Sequence, residues 1–273
     1  MTKLYYYANM SNMSRPIRTK INNLLRGWPS NTVALSSVLE KQGVYRQLAE
    51  SYVKSDWLER IGPGAFIKSG EKVEWSGGVY ALQSYLKMLV HPGGKSALAM
   101  QGAAQYIPMD PGVVEIHLFG AKGQKLPKWF KTYDWNQKFR YTMTNFLKDC
   151  DNVGFIKHNL GNYEIQISSR ERAAIEYCYA YPDKASFGEM DHIISGLLTL
   201  RPEIVQTLLE RCTSVKTKRL FMYLAEKHEL PCVKYLDPCK MDFGSGTRSL
   251  CKNGLFNSKY KIVVPAGEQD HDK

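Results

Sequence analysis

Val44-Tyr45-Arg46-Gln47-Leu48-Ala49-Glu50-Ser51-Tyr52-Val53-Lys54-Ser55-Asp56-Trp57-Leu58-Glu59-Arg60-Ile61-Gly62-Pro63-Gly64-Ala65-Phe66-Ile67-Lys68 contains, in succession, a helix, a break and a hairpin. At 100° per residue, Val44, Leu48, Ser51 and Tyr52 fall on one face of a helix running from Val44 to about Ser55, and Arg46, Gln47, Glu50 and Lys54 fall opposite. Two β-prone runs, Trp57 to Ile61 and Ala65 to Lys68, flank Gly62-Pro63-Gly64, which is the composition of a tight turn.

Upstream, Ile17, Ile21, Leu24, Leu25 and Trp28 recur at helical spacing, with Ser14 as N-cap, Pro16 in the first turn, and Gly27 and Pro29 as terminators. A second short helix is expected from about Thr32 to Gln42, capped by Ser30 or Asn31, with Val38 and Leu39 inward and Gly43 supplying the turn. Three short helices followed by a hairpin is the order of a winged helix-turn-helix, whose third helix enters the major groove while the wing lies along the backbone. The outward face of the third helix carries residue types that read bases. Arg pairs with guanine O6 and N7, Gln with adenine, and Glu accepts from cytosine N4. Lys54 suits a phosphate. A solvated three-helix unit, or one that binds another protein, is the competing interpretation.

The 273 residues are 44% apolar and 23% charged, a globular composition that excludes collagen, coiled coil and disorder. The formal net charge is +11. Residues 1 to 54 hold eight Lys and Arg against Glu40 and Glu50, so +6 is concentrated in the first fifth of the chain, which favours polyanionic partners there. No apolar run approaches the roughly 20 residues needed to cross a bilayer, and Met1 to Met13 lacks a signal pattern, so a cytoplasmic protein without a membrane partner is expected. Six cysteines without a C-x-x-C pair suit reduced thiols. A zinc site from Cys232, Cys239 and Cys251 is conceivable, but zinc sites usually bring two ligands close together in a knuckle, which these lack, and buried small hydrophobes are the expected alternative.

Downstream of Trp75 the pattern is mixed. Val79, Leu82, Leu86 and Leu89 mark one helical face, Val90-His91-Pro92-Gly93-Gly94 breaks it, and Ser96 to Tyr106 resumes with small residues suited to close packing. Strands are expected at Val113 to Phe119, Phe139 to Thr144, Val153 to Lys157 and Tyr163 to Ile167. Ser168-Ser169-Arg170-Glu171 reads as a capping box opening a helix to about Tyr181. Three further helices follow, marked by Phe187 to Leu198, Pro202 to Leu209 and Leu220 to Leu224, then a closing strand from Lys259 to Val264. The expected class is α+β: a winged helix over 1–75, a larger mixed α/β domain with several helices over 76–264, and a disordered tail over 265–273.

Catalytic signals are weak. Gly94-Lys95-Ser96 lacks the upstream glycine of a phosphate-binding loop, Gly244-Ser245-Gly246 lacks the aspartate pair of a nucleotidyltransferase, and no H-E-x-x-H or G-x-S-x-G occurs. Asp110 and Glu115 could pair around a metal in a DNA-targeted nuclease, but the partner lysine position holds His117. Tyr5-Tyr6-Tyr7 and the lysines from Lys122 to Lys138, interleaved with Trp129, Phe130 and Trp135, suit base stacking and phosphate, or equally a satellite core under a solvated loop. No catalytic residue, cofactor or metal is expected.

The stretch Ser51 to Phe66, then Ala81-Leu82-Gln83, His91-Pro92-Gly93-Gly94-Lys95-Ser96-Ala97-Leu98 and Gly102, resembles the AbiEi family, antitoxins of type IV toxin-antitoxin systems of abortive infection. The resemblance implies a winged-helix domain that represses its own operon and a larger domain that counters a nucleotidyltransferase-like toxin encoded beside it. Carried over by position, Tyr45, Arg46, Gln47 and Lys54 on the third helix, with Arg60 and Lys68 on the wing, would contact the operator DNA. Asp56 stands where the family commonly has glycine and must accept the turn conformation. No toxin-binding surface is implied; Lys216, Lys218 and Arg219 are the basic side chains considered for it.

Overall fold

A computed structural model describes residues 15–103, 115–182 and 186–265, with side chains from Lys20 onward. Tyr5-Tyr6-Tyr7, Ser14, Asp110 and the tail beyond Pro265 lie outside the described residues, as do the side chains of Pro16 and Ile17. The architecture is α+β, and the chain divides into two units. One takes in the chain up to Val90 with Gln124–Gln137 and His158–Ile165; the other takes in His91–Gly123, Lys138–Lys157 and Gln166 onward.

The first unit begins with α1 (Arg15–Gly27), β1 (Ala34–Leu35), α2 (Ser36–Lys41), α3 (Arg46–Lys54), β2 (Leu58–Gly62) and β3 (Ala65–Lys68). Ile21, Leu24 and Trp28 of the first amphipathic segment pack with Leu39, Val44, Ala49, Tyr52, Leu58 and Phe66 into one core. The second helix starts later than the sequence suggests. Thr32, Val33, Ala34 and Leu35 are all buried, and Ala34 and Leu35 pair with Phe66 and Ala65 as a third strand, giving the order β1-β3-β2. An apolar run buried on both sides satisfies its backbone in a sheet, so neither Ser30 nor Asn31 caps a helix; Leu35 holds the N-cap position. On α3, Ala49 rather than Ser51 faces the core, and Ser51 is exposed.

α4 (Trp75–Ser84) buries Val79 and Leu82 but ends before Leu86 and Leu89, which are exposed. The segment Gln124–Gln137, with α6 (Lys128–Thr132), belongs to this unit. Trp135 and Phe130 lie so close to Gly78 that a Cβ there would sit 2.7 Å from the Trp135 ring. Between α4 and α6 the chain forms β4 (His91–Pro92), α5 (Gly94–Met100) and β5 (Glu115–Gly120).

In the second unit β4 runs antiparallel to β5, which pairs in parallel with β6 (Lys138–Met143). Next in the chain is a two-stranded sheet of β7 (Phe155–Asn159) and β8 (Glu164–Ser168), of which His158–Ile165 count with the first unit. α7 (Arg170–Ala180) is the central helix, buried along nearly its whole length. The small residues of α5 pack against it, Ala97 and Leu98 sharing a core with Ala173, Ala174 and Tyr177. α8 (Phe187–Ser195), α9 (Pro202–Arg211) and α10 (Val215–Lys227) complete that core, and β9 (Arg248–Ser249), β10 (Gly254–Asn257) and β11 (Ile262–Pro265) close the chain as a sheet in the order β10-β11-β9.

Three charged groups organise this core. Glu176 is fully buried: Oε1 accepts from His91 Nε2 at 3.0 Å and Arg172 Nε at 2.9 Å, and Oε2 accepts from Ser168 Oγ at 2.7 Å and the Gly94 amide at 3.1 Å. Burial opposes its charge, but His91, the Arg172 guanidinium and these donors hold its carboxyl below the usual range. Arg219, also buried, donates to the carbonyls of Phe243 (2.9 Å), Gly244 (3.1 Å), Gly246 (2.6 Å) and Lys261 (3.0 Å). The Gly244-Ser245-Gly246 turn is therefore part of a carbonyl cage, with φ of +59° and +70° at its two glycines. Lys218 is buried and Lys216 donates to the carbonyls of Tyr179 and Tyr181, so none of these three cations lies on an open surface.

Glu171 does not form the expected capping box. Its carboxylate accepts from Arg201 Nε and Nη2, both at 2.9 Å, from the Arg201 amide at 3.0 Å and from Ser169 Oγ at 2.5 Å. Burial would raise its pKa, but the Arg201 and Ser169 donors outweigh it and hold the carboxyl at about 2. A carboxyl depressed in the folded state stabilises it above its unfolded pKa and loses that contribution as pH falls from about 4.5 through about 2. Urea unfolding at pH 5 and pH 2.5 is expected to show a fall in stability that flattens in Arg201→Met; an equal fall in both proteins would rule Glu171 out as a source.

Candidate nucleic-acid interface

The turn between α2 and α3 is built from Gln42, Gly43 and Val44, whose amides donate to Leu39 and Glu40 carbonyls, with Gly43 at φ +76°. This places Tyr45 at the N-cap of α3 with an extended backbone and 63% of its surface exposed. Arg46 and Gln47 occupy the exposed first turn and Lys54 the exposed last position. On the reverse side Tyr52 is wholly buried, and burial pushes its phenol pKa up, so it stays neutral as a core anchor. The helix thus turns a polar, base-compatible face outward because its apolar residues are fixed inward.

The wing is an antiparallel hairpin pairing Leu58 with Lys68, Glu59 with Ile67 and Arg60 with Phe66, then shifting register so that Gly62 meets Ala65. Pro63 and Gly64, the latter at φ +69°, make the turn, and the Gly64 carbonyl accepts from the Ser36 amide at 2.9 Å, tying the wing to α2. Asp56 joins α3 to the wing at φ +58° and accepts from Ser69 Oγ at 2.7 Å. The aspartate thus takes the left-handed conformation that glycine would adopt freely.

The two wing cations are already engaged. Arg60 Nη2 lies 2.6 Å from Glu50 Oε1, each side chain 40% exposed, and its guanidinium sits 5.2 Å from the Phe66 ring centre. Lys68 is half-buried over Trp28, 3.6 Å from Glu71 and 3.4 Å from Ser30 Oγ. Between α2, α3 and the hairpin runs a groove of about 310 Å³ with an apolar floor of Leu39, Val44, Ala49 and Phe66, and Arg46, Glu50 and Arg60 among its rim residues. Tyr45, Arg46, Gln47 and Lys54 thus stand together on the open face of α3, whereas Arg60 and Lys68 are drawn back into intramolecular pairs. The Glu50–Arg60 pairing is not visible in sequence, since each residue alone reads as an outward polar group.

The alternative chemistries find little support among the described residues. No group of three His, Cys, Asp or Glu is placed to hold a metal. Glu115 pairs with Arg140 at 2.7 Å and with His117 at 3.2 Å, and burial lowers the pKa of that histidine. Cys232 is buried while Cys239 is exposed, and all six thiols are free. Among the described residues, no helix is long and apolar enough to cross a membrane.

Residues 17–109 match the family described as transcriptional regulator, AbiEi antitoxin N-terminal domain. Residues 114–265 match the family described as transcriptional regulator, AbiEi antitoxin, type IV TA system. Among solved structures, the RV2827C protein from Mycobacterium tuberculosis superposes with a TM-score of 0.60 over 92% of each chain at 12% identity, which establishes a shared fold. No curated protein matches the sequence.

Proposed function

The chain belongs to the AbiEi family of antitoxins and transcriptional regulators of type IV toxin-antitoxin systems, and from that membership we propose that it represses its own operon. Residues 1–75 read operator DNA upstream of that operon, and the remainder counters a nucleotidyltransferase-like toxin encoded beside it, in the cytoplasm and without catalysis of its own. The observation that carries this reading is the exposed cluster of Tyr45, Arg46, Gln47 and Lys54 on α3, beside a wing. Arg46 and Gln47 suit base edges in the major groove, and Lys54 suits the backbone. Arg60 reaches phosphate only by exchanging Glu50 for it, and Lys68 contributes by holding the base of the wing.

Fluorescence anisotropy with the operon's upstream duplex and a scrambled duplex, at two salt concentrations, tests the repressor half. Tighter, salt-sensitive binding to the upstream duplex is expected; no binding to either would mean that the winged helix serves a protein partner. Arg46→Ala is expected to lose about 1–3 kcal/mol on the upstream duplex and much less on the scrambled one. Equal losses on both would reduce Arg46 to a positioning contact. The antitoxin half is tested by co-expression with the neighbouring toxin, where rescue of growth is expected.

A further inference from the structure

Both cations of the wing are engaged within the unit. Its turn is Gly62-Pro63-Gly64-Ala65, Arg60 is held by Glu50, and Lys68 by Glu71 and Trp28. A wing whose cations must first leave an intramolecular partner gains charge for a phosphate backbone from a neighbour with unpaired cations. That neighbour is the segment Gln124–Gln137, which returns to this unit from beyond α5 and β5.

α6 lies directly on the end of β2. A Cβ on Gly62 would stand 2.7 Å from Trp129 Cβ and 2.8 Å from its Cα, so only glycine admits this approach. The aromatic residues of the segment are spent inward: Trp129, Phe130 and Trp135 are buried, and the Trp135 indole donates to the Phe130 carbonyl at 2.7 Å. They cover the outer edge of β2 and hold the segment in place, and are not stacking platforms. Lys125, Lys128 and Lys131 are exposed, with no ion pair among the described residues. Burial raises the pKa of Tyr133, which follows the end of α6, and the carboxylates of Glu59 and of Asp134, within the segment itself, add to that rise.

We infer that Lys125, Lys128 and Lys131 form an auxiliary phosphate-backbone contact that extends the wing, using charge supplied from a distant part of the chain. This rests on the operator-binding reading above and adds a binding site to it. Because the three lysines meet backbone and not base edges, their contribution is independent of sequence.

The test compares wild type with Lys125→Gln/Lys128→Gln/Lys131→Gln on the upstream and scrambled duplexes across a potassium chloride series. Each neutralised phosphate adds about 0.9 to the slope of log K against log salt, so the triple variant is expected to lose up to about 2.7 of that slope. Its affinity falls by the same factor on both duplexes, leaving discrimination unchanged, and the corresponding triple Lys→Arg variant keeps the wild-type slope. An unchanged slope in the Gln variant overturns the inference while leaving the operator reading intact. So does a loss confined to the upstream duplex. A wild-type protein that binds neither duplex overturns both.

Discussion

Glu176→Gln is expected to lower the free energy of unfolding by about 3–5 kcal/mol, the range for removing one partner of a buried ionic network. The substitution keeps the size of the side chain, so lost volume is not the cause. Four donors converge on the carboxylate from His91, Arg172, Ser168 and Gly94. An amide offers one oxygen and one NH2, and in either orientation its NH2 faces a group that can only donate, Arg172 Nε or the Gly94 amide, while the Arg172 charge loses its buried counter-ion. The shell has no room to relax, since a Cβ on Gly93 would already lie 2.2 Å from Glu176 Oε2. Urea denaturation of the purified protein at neutral pH measures the loss, and a decrease below about 1 kcal/mol would show that the network is not holding the fold.

Arg219→Met is expected to lose about 3 kcal/mol for a different reason. Here no carboxylate is involved; one guanidinium collects four backbone carbonyls, three from residues 243–246 and one from Lys261. Methionine fills much of the volume but leaves those carbonyls to find water, which the exposed turn from Gly244 to Arg248 allows in part. The loss is therefore accompanied by faster amide exchange across residues 243–250, whose Arg248 and Leu250 amides donate to Lys261 and Val263. Unchanged exchange there, with unchanged stability, would mean that the turn is self-supporting.

The winged helix was legible because its signals are local. Apolar spacing from Ile21 to Trp28, Gly43 between two helices and Gly62-Pro63-Gly64 between two β-prone runs each state their geometry within a few residues. What was missed depends on partners distant in sequence. Ala34 and Leu35 become a strand only because Phe66 and Ala65 arrive to pair with them. Lys218 and Arg219 read as surface cations because the burial of both, and the carbonyl partners of Arg219, come from elsewhere in the chain. In the candidate site, the positions on α3 followed from the helical wheel, with Ser51 and Ala49 exchanged. The engagement of Arg60 and Lys68 did not, because no periodicity records which carboxylate a cation meets.

The abutment of Trp129 on Gly62 also bears on synthesis and inheritance. A ribosome that has released only the first 90 residues has made the third helix and the hairpin, but not the residues that cover the edge of β2 and fill the space beside Gly78. Because compact units fold as wholes during translation, the face proposed above to read DNA would be complete only once the residues up to about 165 have been made. Nonsense alleles ending between residues 75 and 120 would then behave as simple nulls in merodiploid cells, not as dominant competitors for the operator.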